Sequence, residues 1–299
     1  MSLSLAALYA LDTLFYASLI FLIVSGLNII YGVLRIVNLA HATLFALGAY
    51  TAAWITSTYI VKVFGDSLIA LIALPLLTAA IVTVIASLAL VMPILAYAHG
   101  KGDAFQLIVT FGLLLVFEEL FQIIWGRAPL AANQAYFALG FMDLIDRKYP
   151  VYKIMVITFT GFLAVILWYM IYRSRFGLVF RAVAMDPEMS SALGVNIGRV
   201  VVMAIILASV LAGLGGALYL PVASIAPGVS LEFLIIAFVG LVIGGLGSFA
   251  GSLIGAFVVS FFRTFSIIFI PELELVVLFA VAALVLLVKP EGIGGGKGW

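Results

Sequence analysis

The amino-acid sequence predicts an all-α polytopic membrane protein, with one transmembrane domain over residues 1–299. Of the 299 residues, 66% are hydrophobic and 9% are charged, whereas about 25% of the residues in a soluble domain are charged. Long runs without Lys, Arg, Asp or Glu recur along the chain, and a helix needs roughly 20 apolar residues to cross a bilayer. Glycine is frequent, at 28 residues. These observations predict about 8–10 transmembrane helices, some of them short or broken at glycine-rich segments.

Nine spanning or partly spanning segments account for the uncharged runs. In chain order they are 12–35, 35–62, 67–100, 104–125, 154–172, 200–220, the two halves of 233–262, and 275–288. The run 233–262 is too long for one crossing, so we divide it where glycines interrupt it. These glycines, which we predict to form a broken helix or hinge, are Gly244, Gly245, Gly247 and Gly251. A polar tail follows the last segment.

The positions of Lys and Arg predict the orientation, because short cytoplasmic loops are enriched in both. The connection 173–199 contains four arginines: Arg173, Arg175, Arg181 and Arg199. We therefore place it in the cytoplasm. Alternating crossings put four further basic residues on the same side: Arg35, Lys101, Lys289 and Lys297. The C-terminus is then cytoplasmic and Met1 is outside, together with Lys62, Arg127, Arg147, Lys148 and Lys153.

Several classes of function are excluded by composition. A net charge of +1 provides no basic field for nucleic acid. With no Cys and two His, we expect neither a zinc site nor another bound cofactor. The sequence has no GxxxxGK[ST] phosphate loop, and the glycine-rich stretch from Gly245 lacks the required Lys. ATP should therefore bind elsewhere. A chain of intramembrane carboxylates is also missing, since we expect Glu118 and Glu119 at the membrane interface.

Small residues form one face of the sixth segment. Two rows with four-residue spacing make up this face: Ala204, Ala208, Ala212 and Gly216, and Ser209, Gly213 and Ala217. Small residues let helices approach closely in a membrane, so this face predicts helix packing and does not identify a substrate. Glycine and Asn also interrupt the apolar run near the N-terminus. One interrupted region in each half indicates an internal repeat around a central pathway.

The connection 173–199 should contain a short helix over residues 187–193. Asp186 is a favourable N-cap, Pro187 suits the first helical position, and Glu188 suits the positive helix start. Gly194 can adopt the left-handed conformation that ends a helix. Such a short helix is unstable alone. It is therefore either a solvated connection or an element that docks onto a partner.

Three stretches of this sequence resemble signatures of ABC importer permeases of the branched-chain amino acid class, and the chain is most similar to their first-type subunit. In the loop, the matching residues are Arg181, Ala182, Asp186, Gly194, Val195 and Asn196. Near the N-terminus they are Tyr31, Gly32, Asn38, Ala40, His41, Gly48, Ala49 and Tyr50. The third stretch is glycine-rich and covers 238–256. After His41 the family usually has Gly and an acidic residue, whereas this chain has Ala42 and Thr43.

The resemblance implies a division of labour among subunits in a bacterial cytoplasmic (inner) membrane. This chain would form the pathway with a second permease subunit, driven by two cytoplasmic ATPase subunits and supplied by a soluble solute-binding protein. The solute would be a branched-chain amino acid or a related small polar compound such as an amide or urea. ATPase coupling would involve Arg181, Ala182, Asp186, Gly194 and Asn196. A stand-alone secondary carrier or facilitator and a non-transporting scaffold are the alternatives, and neither requires a docking helix.

Three polar residues in apolar surroundings are further candidates. Asn38 and His41 lie three residues apart on one helical face. They either line the solute path, or each satisfies the other or backbone groups freed by the nearby glycines. Arg263 lies in an apolar segment, where an isolated Arg costs about 2.5–3.5 kcal/mol. We expect it to face the bundle interior in a structural or subunit-interface role, the alternative being a contact with a substrate carboxylate.

Overall fold

A computed structural model describes residues 3–65, 67–144 and 147–295, so Lys297 lies outside the described residues. Within that part, eight helices are long and apolar enough to cross a membrane, and one apolar helix is shorter. In chain order the helices are α1 Leu3–Leu34, α2 His41–Phe64, α3 Leu68–Ala98, α4 Asp103–Trp125, α5 Gln134–Ala138, α6 Val151–Arg173, α7 Arg175–Met185, α8 Pro187–Ala192, α9 Ile197–Tyr219, α10 Val229–Gly244, α11 Phe249–Phe269 and α12 Glu274–Val288. The predicted helical polytopic fold is confirmed, and α10 is the short segment expected beside the glycines.

The connection between α4 and α6 is structured. It contains α5 and a two-stranded antiparallel hairpin of β1, Phe141–Leu144, and β2, Arg147–Pro150. Leu130 exchanges two backbone hydrogen bonds of 2.8 Å with Ile225, which joins this connection to the one before α10. No strand was predicted here, because strands of four residues are too short for an alternating pattern to be recognised.

The helices α1, α2, α3 and α9 form the core of the bundle. α9 packs against the other three, and α1 also contacts α6, α10 and α11. A Cβ added to Gly216 would lie 1.9 Å from the carbonyl oxygen of Phe45, and one added to Gly48 would lie 2.3 Å from that of Gly213. The backbones of α2 and α9 therefore touch, and the predicted packing role of the small-residue face is confirmed.

α1 begins well before the first predicted segment, and it is anchored near its start. The Asp12 carboxylate lies 2.6 Å from the Lys153 ammonium at the beginning of α6. Tyr149 of β2 donates a hydrogen bond of 3.1 Å to the same carboxylate. Burial and the Asp12 charge raise the pKa of Tyr149, which keeps its hydroxyl protonated as a donor. This cluster joins α1, α6 and the hairpin.

The connections lie at two ends of the bundle. Alternating helices place 35–40, 99–102, 174–196 and 245–248 at one end, which we call the loop face. The other end is the hairpin face. Contacts agree with this assignment, because Arg35 Nη2 donates to the Ala184 carbonyl at 2.9 Å and Gly294 N–H donates to the Gly244 carbonyl at 2.8 Å. The basic residues grouped by the sequence analysis thus share a face within the described residues, while its location in the cytoplasm stays a prediction.

Replacing Gly216 by Leu should disrupt the bundle. The added side chain has to displace the backbone of α2, and overpacking of a tight core typically costs about 1–3 kcal/mol. We expect less monodisperse protein in detergent and a lower unfolding temperature. Gly161→Leu on α6 is the matched control, since a Cβ there meets no atom within 4 Å. Equal unfolding temperatures for the two variants would contradict backbone contact between α2 and α9.

Candidate functional site

The loop face presents two consecutive short helices, α7 and α8, after the end of α6. Ser174 forms the turn between α6 and α7, since its hydroxyl donates to the Met170 carbonyl at 2.5 Å and accepts from the Gly177 N–H at 3.1 Å. α7 is amphipathic, and its buried side includes Phe180, Val183 and Ala184. The guanidinium of Arg35 binds the last turn of α7, where a cation favours the negative end of a helix dipole. α7 is therefore fixed against α1.

Both ends of α8 have the predicted geometry. The Asp186 carboxylate accepts a hydrogen bond of 2.9 Å from the Met189 N–H, which makes it the N-cap. Pro187 occupies the first turn. Gly194 has a φ of 85°, a left-handed conformation that L-residues with side chains rarely adopt. The predicted short helix and its caps are confirmed.

The remaining residues predicted for coupling lie on either side of α8. Asn196 caps α9, with its Oδ1 accepting from the Arg199 N–H at 3.0 Å. Arg181 and Ala182 are half-buried on α7, and the Arg181 guanidinium lies 5.7 Å from the centroid of the Tyr172 ring. Asp186, Gly194 and Asn196 therefore shape the backbone of the loop, while Arg181 packs against α6. Contact with an ATPase subunit stays a prediction for all five.

An exposed apolar patch covers the outer side of this loop. We define the loop patch as Met185, Met189 and Leu193, which are 76%, 58% and 78% exposed. The exposed arginines Arg173 and Arg199 flank the helical segment. Apolar side chains grouped on a polar connection are characteristic of surfaces that bind a protein partner. The helix was predicted but this patch was not, because the extended Asp186 interrupts the helical spacing between Met185 and Met189.

The glycine-rich segment interrupts the helix between α10 and α11 as predicted. α10 ends at Gly244. The next glycines, Gly245 and Gly247, have φ values of 100° and 74°. α11 then begins after the N-cap Ser248. The tail after α12 covers the break, because Ile293 N–H donates to the Ile243 carbonyl at 2.8 Å. Gly251 lies in α11, where its backbone contacts Gly244. Movement about this segment stays a prediction.

Asn28 is a functional candidate that the sequence analysis missed. It is fully buried on α1, and its amide nitrogen donates to the Ser248 carbonyl at 3.1 Å and the Ser252 hydroxyl at 2.6 Å. Its amide oxygen accepts from the Gly247 N–H at 2.7 Å. One side chain thus satisfies the backbone groups that the break leaves free. The partners lie more than 200 residues away in sequence, so no local pattern could identify them.

Asn38 and His41 are buried inside the subunit but do not satisfy each other. Neither amide atom of Asn38 nor either ring nitrogen of His41 has a hydrogen-bond partner of normal geometry among the described residues. The contact of His41 with the Ile23 carbonyl falls outside that geometry. The backbone N–H of His41 instead donates to the Asn38 carbonyl at 3.1 Å. Pairing of the two side chains with each other is therefore contradicted, whereas the backbone contact of the His41 ring lies outside normal hydrogen-bond geometry. A role in the pathway stays a prediction.

The chain matches a known protein family over most of its length. The family described as "Branched-chain amino acid transport system / permease component" matches residues 9–287 of the chain. The chain belongs to this family. It is 27% identical to the high-affinity branched-chain amino acid transport system permease protein BraD of Pseudomonas aeruginosa, over 92% of this chain and 91% of BraD. It is 25% identical to the corresponding LivH protein of Escherichia coli, over 92% and 90% of the two chains.

A shorter stretch of the chain is similar to a transporter that is named for a different solute. The nucleoside ABC transporter permease protein NupC of Lactococcus lactis is 38% identical over 63 residues, which is 20% of either chain. Family membership makes the protein a permease component of an ABC-type transport system. It is a multi-pass membrane protein and is not itself the ATPase. Such a system generally includes ATPase and binding-protein components.

In this permease, Arg263 joins three helices near the hairpin face. Its Nε lies 2.7 Å from Glu274 Oε1 on α12, and its Nη2 lies 3.0 Å from Glu232 Oε1 on α10. The guanidinium also lies 5.1 Å from the centroid of the Tyr16 ring on α1. Arg263 faces the interior as expected. It is paired rather than isolated, because each carboxylate comes from the first turns of another helix.

Glu118 is buried in the permease and its carboxylate is not free. Its carboxylate accepts hydrogen bonds from Gly228 N–H at 2.8 Å and Ser230 N–H at 3.0 Å, at the start of α10. A carboxylate at this position satisfies two free N–H groups and favours the helix dipole. Glu118 is thus buried within the protein at the hairpin end of α10, and its position at the membrane interface stays a prediction. Glu119 points the other way and is exposed.

Arg263→Gln should destabilise the permease more than removal of either carboxylate. Loss of the guanidinium removes both ion pairs and leaves two like charges close together, and losing hydrogen bonds to charged groups typically costs about 1.5–3 kcal/mol. Glu232→Gln should cost about 1 kcal/mol at most, because this side chain is 49% exposed. Thermal unfolding in detergent measures both. Glu272→Gln is the control, since its exposed carboxylate makes no ion pair among the described residues. Equal unfolding temperatures for Arg263→Gln and Glu272→Gln would contradict the proposed energetics.

Proposed function

We propose that this permease imports branched-chain amino acids, or a related small polar solute such as an amide or urea, with energy from ATP. The names of BraD and LivH support the solute class. A second permease subunit and two ATPase subunits would complete the membrane complex, and a soluble binding protein would deliver the solute. The membrane would be a bacterial cytoplasmic membrane, with the loop face in the cytoplasm, as the arginines of the connection 173–199 favour.

The observation that carries this proposal is the loop patch on and beside α8. A six-residue helix cannot be stable alone, yet α8 has a cap at each end, exposes Met189, and is flanked by the exposed Met185 and Leu193. A solvated connection has no need for such a surface. A cytosolic partner that covers the patch would remove three large apolar side chains from water and hold α8 in a fixed position.

The surroundings of α8 provide a means of coupling. α7 follows α6 without a flexible linker, and Arg35 fixes the end of α7 to the end of α1. Displacement of α8 by ATPase closure would therefore shift α6 and α1 together. Because α1 contacts α9, α10 and α11, the movement would reach the core of the bundle. Coupling of this kind requires that the ATPase binds the two conformations with different affinity.

Asn38 and His41 lie between the loop face and this core, and we assign them to the pathway or its gate. Four buried polar atoms without partners are unfavourable, since each costs about 1–3 kcal/mol. A second conformation that hydrates these atoms, or pairs them with the solute, would remove that penalty. The unpaired atoms thus support a change in the environment of Asn38 and His41 during transport. The glycines at 244–251 would act as the hinge for that change.

The hairpin face offers a surface for the binding protein. Phe137, Phe141 and Met142 are exposed beside α5 and β1, and the basic residues Arg147 and Lys148 lie on β2. An apolar centre with charged residues around it is typical of protein interfaces. The isolated pairing of Leu130 with Ile225 gives this surface a rigid base.

Gly194→Val tests the coupling role. A β-branched residue resists the left-handed conformation, so α8 should lose its defined end while the transmembrane helices are unaffected. We expect loss of both ATPase co-purification and solute uptake. Asp186→Ala should have a smaller effect, because removal of the cap costs about 0.5–2 kcal/mol. Gly100→Val is the matched control, since Gly100 has a φ of 77° on the same face but lies outside the loop.

Two results would overturn this assignment. If Gly194→Val retains normal ATPase attachment and uptake, the loop is only a solvated connection. If the purified permease alone accumulates solute without ATPase subunits, the protein is a secondary carrier. Binding assays on the solute-binding protein then identify the solute independently of both outcomes.

His41→Ala and Asn38→Ala should reduce uptake while the amount of assembled complex stays normal. Truncation removes polar atoms that lack partners, so we expect little loss of stability and a loss of function. Thr160→Ala on α6 is the control, because its hydroxyl is also buried without a partner but is remote from the N-terminal signature. Normal uptake in both variants would show that these residues are not part of the pathway.

A further inference from the structure

α3 and α4 enclose a groove on the outside of the bundle. They run antiparallel from the turn 99–102, and the groove between them has a volume of about 550 Å³. Six of its lining residues define it: Leu90, Ile94, Tyr97, Leu113, Val116 and Leu120. The lining segment of α4 runs from residue 109 to 120, which at 1.5 Å per residue is about 16 Å. This length corresponds to roughly one leaflet of a 30 Å hydrocarbon core.

The groove is a structural consequence of irregular winding in α3. A π-helical turn covers Ser87–Val91, and Pro93 follows it. Such turns shift the side chains that follow out of the regular helical register. Leu113 closes the bottom of the groove, whereas Leu90 and Val116 on its rims are half-exposed. The groove is thus preformed and opens toward the hydrocarbon.

A single cation lies at the end of the groove near the loop face. Lys101 Nζ is 3.2 Å from the centroid of the Tyr97 ring and 5.2 Å from that of Phe105. Cation–π contacts hold the ammonium at this position. In the described part of the chain, no carboxylate forms a salt bridge with Lys101. His99 and Asp103 are the other titratable residues in or beside this turn, and both are exposed.

A second groove provides an internal comparison. It lies between α1 and α11, has a volume of about 560 Å³, and is lined by residues such as Tyr9, Ala10 and Phe261. Neither groove has a charged residue in its lining, and the two have similar size and similar apolar walls. The α3–α4 groove differs in that the Lys101 ammonium lies against Tyr97, one of its lining residues.

We propose that the α3–α4 groove binds one anionic phospholipid from the leaflet at the loop face. One acyl chain occupies the apolar groove, and the headgroup phosphate pairs with Lys101. An apolar groove with an unpaired cation on its loop-face side matches an anionic amphiphile. Its length of about 16 Å accommodates one acyl chain of a leaflet. The bound lipid braces α4, which carries Glu118, so lipid occupancy also stabilises the start of α10.

Native mass spectrometry of the full-length permease in mild detergent tests this proposal. Titration with phosphatidylglycerol should give one preferred adduct, and phosphatidylcholine with the same chains should bind more weakly. Lys101→Gln should weaken phosphatidylglycerol binding about fivefold, which corresponds to about 1 kcal/mol for one basic residue at the membrane surface. Lys62→Gln, at the opposite face, is the charge control and should leave binding unchanged.

The groove itself is tested by filling it. Val116→Trp should lower occupancy by both lipids, whereas Ala10→Trp in the α1–α11 groove should leave the preferred adduct intact. Equal phosphatidylglycerol affinity in Lys101→Gln and Lys62→Gln would overturn the proposal. Displacement of the lipid by excess inorganic phosphate would also overturn it, because the site would then recognise free phosphate.

Photo-crosslinking in membranes that contain the whole transporter separates a lipid from a protein occupant. Val116→benzoylphenylalanine should crosslink to phospholipid. Capture of the second permease subunit would overturn the proposal, since the groove would then be a subunit interface.

Discussion

Close backbone contact at small residues is the constraint on which this permease depends. Within a bilayer, burial of apolar surface does not drive helices together, because lipid tails are as apolar as leucine. Contact must come from tight packing, and at Gly216 and Gly48 the backbones of α2 and α9 leave no space for a side chain. α9 also packs against α1 and α3, so these four helices form one unit. Arg35 ties α7 to the end of α1, and Asn28 ties the glycine break to the same helix.

Buried polar side chains in this fold act mainly on helix ends. α10 has only 16 residues, and side chains from other helices hold both of its ends. Glu118 binds the N–H groups where it begins, and Asn28 binds the break after it. Arg263 adds a charged link to α12. Irregular backbone at membrane depth is tolerated where protein groups satisfy it, so this arrangement explains how α10 can be short.

Local sequence signals made the helices and the loop predictable, whereas the long-range contacts could not be predicted. Uncharged runs located each span, although α1 begins nine residues before and α11 ends seven residues after the predicted limits. Asp186 and Gly194 located the limits of α8, because caps act on neighbouring backbone groups. The pairings of Asn28, Glu118 and Arg263 depend on which helices become neighbours. The lack of hydrogen-bond partners for the side chains of Asn38 and His41 likewise depends on how the helices pack. The hairpin was missed because each strand has only four residues.

The contacts of Asn28 also constrain the order of biogenesis. Its partners at the glycine break lie about 220 residues later in the chain. At a synthesis rate of about 5–20 residues per second, roughly 10–45 seconds separate their emergence from the ribosome. During that interval α1 carries an unpaired amide in a nascent, incomplete bundle. The insertion machinery or water must solvate that amide until α11 arrives, and the final third of the chain then completes the fold of the first.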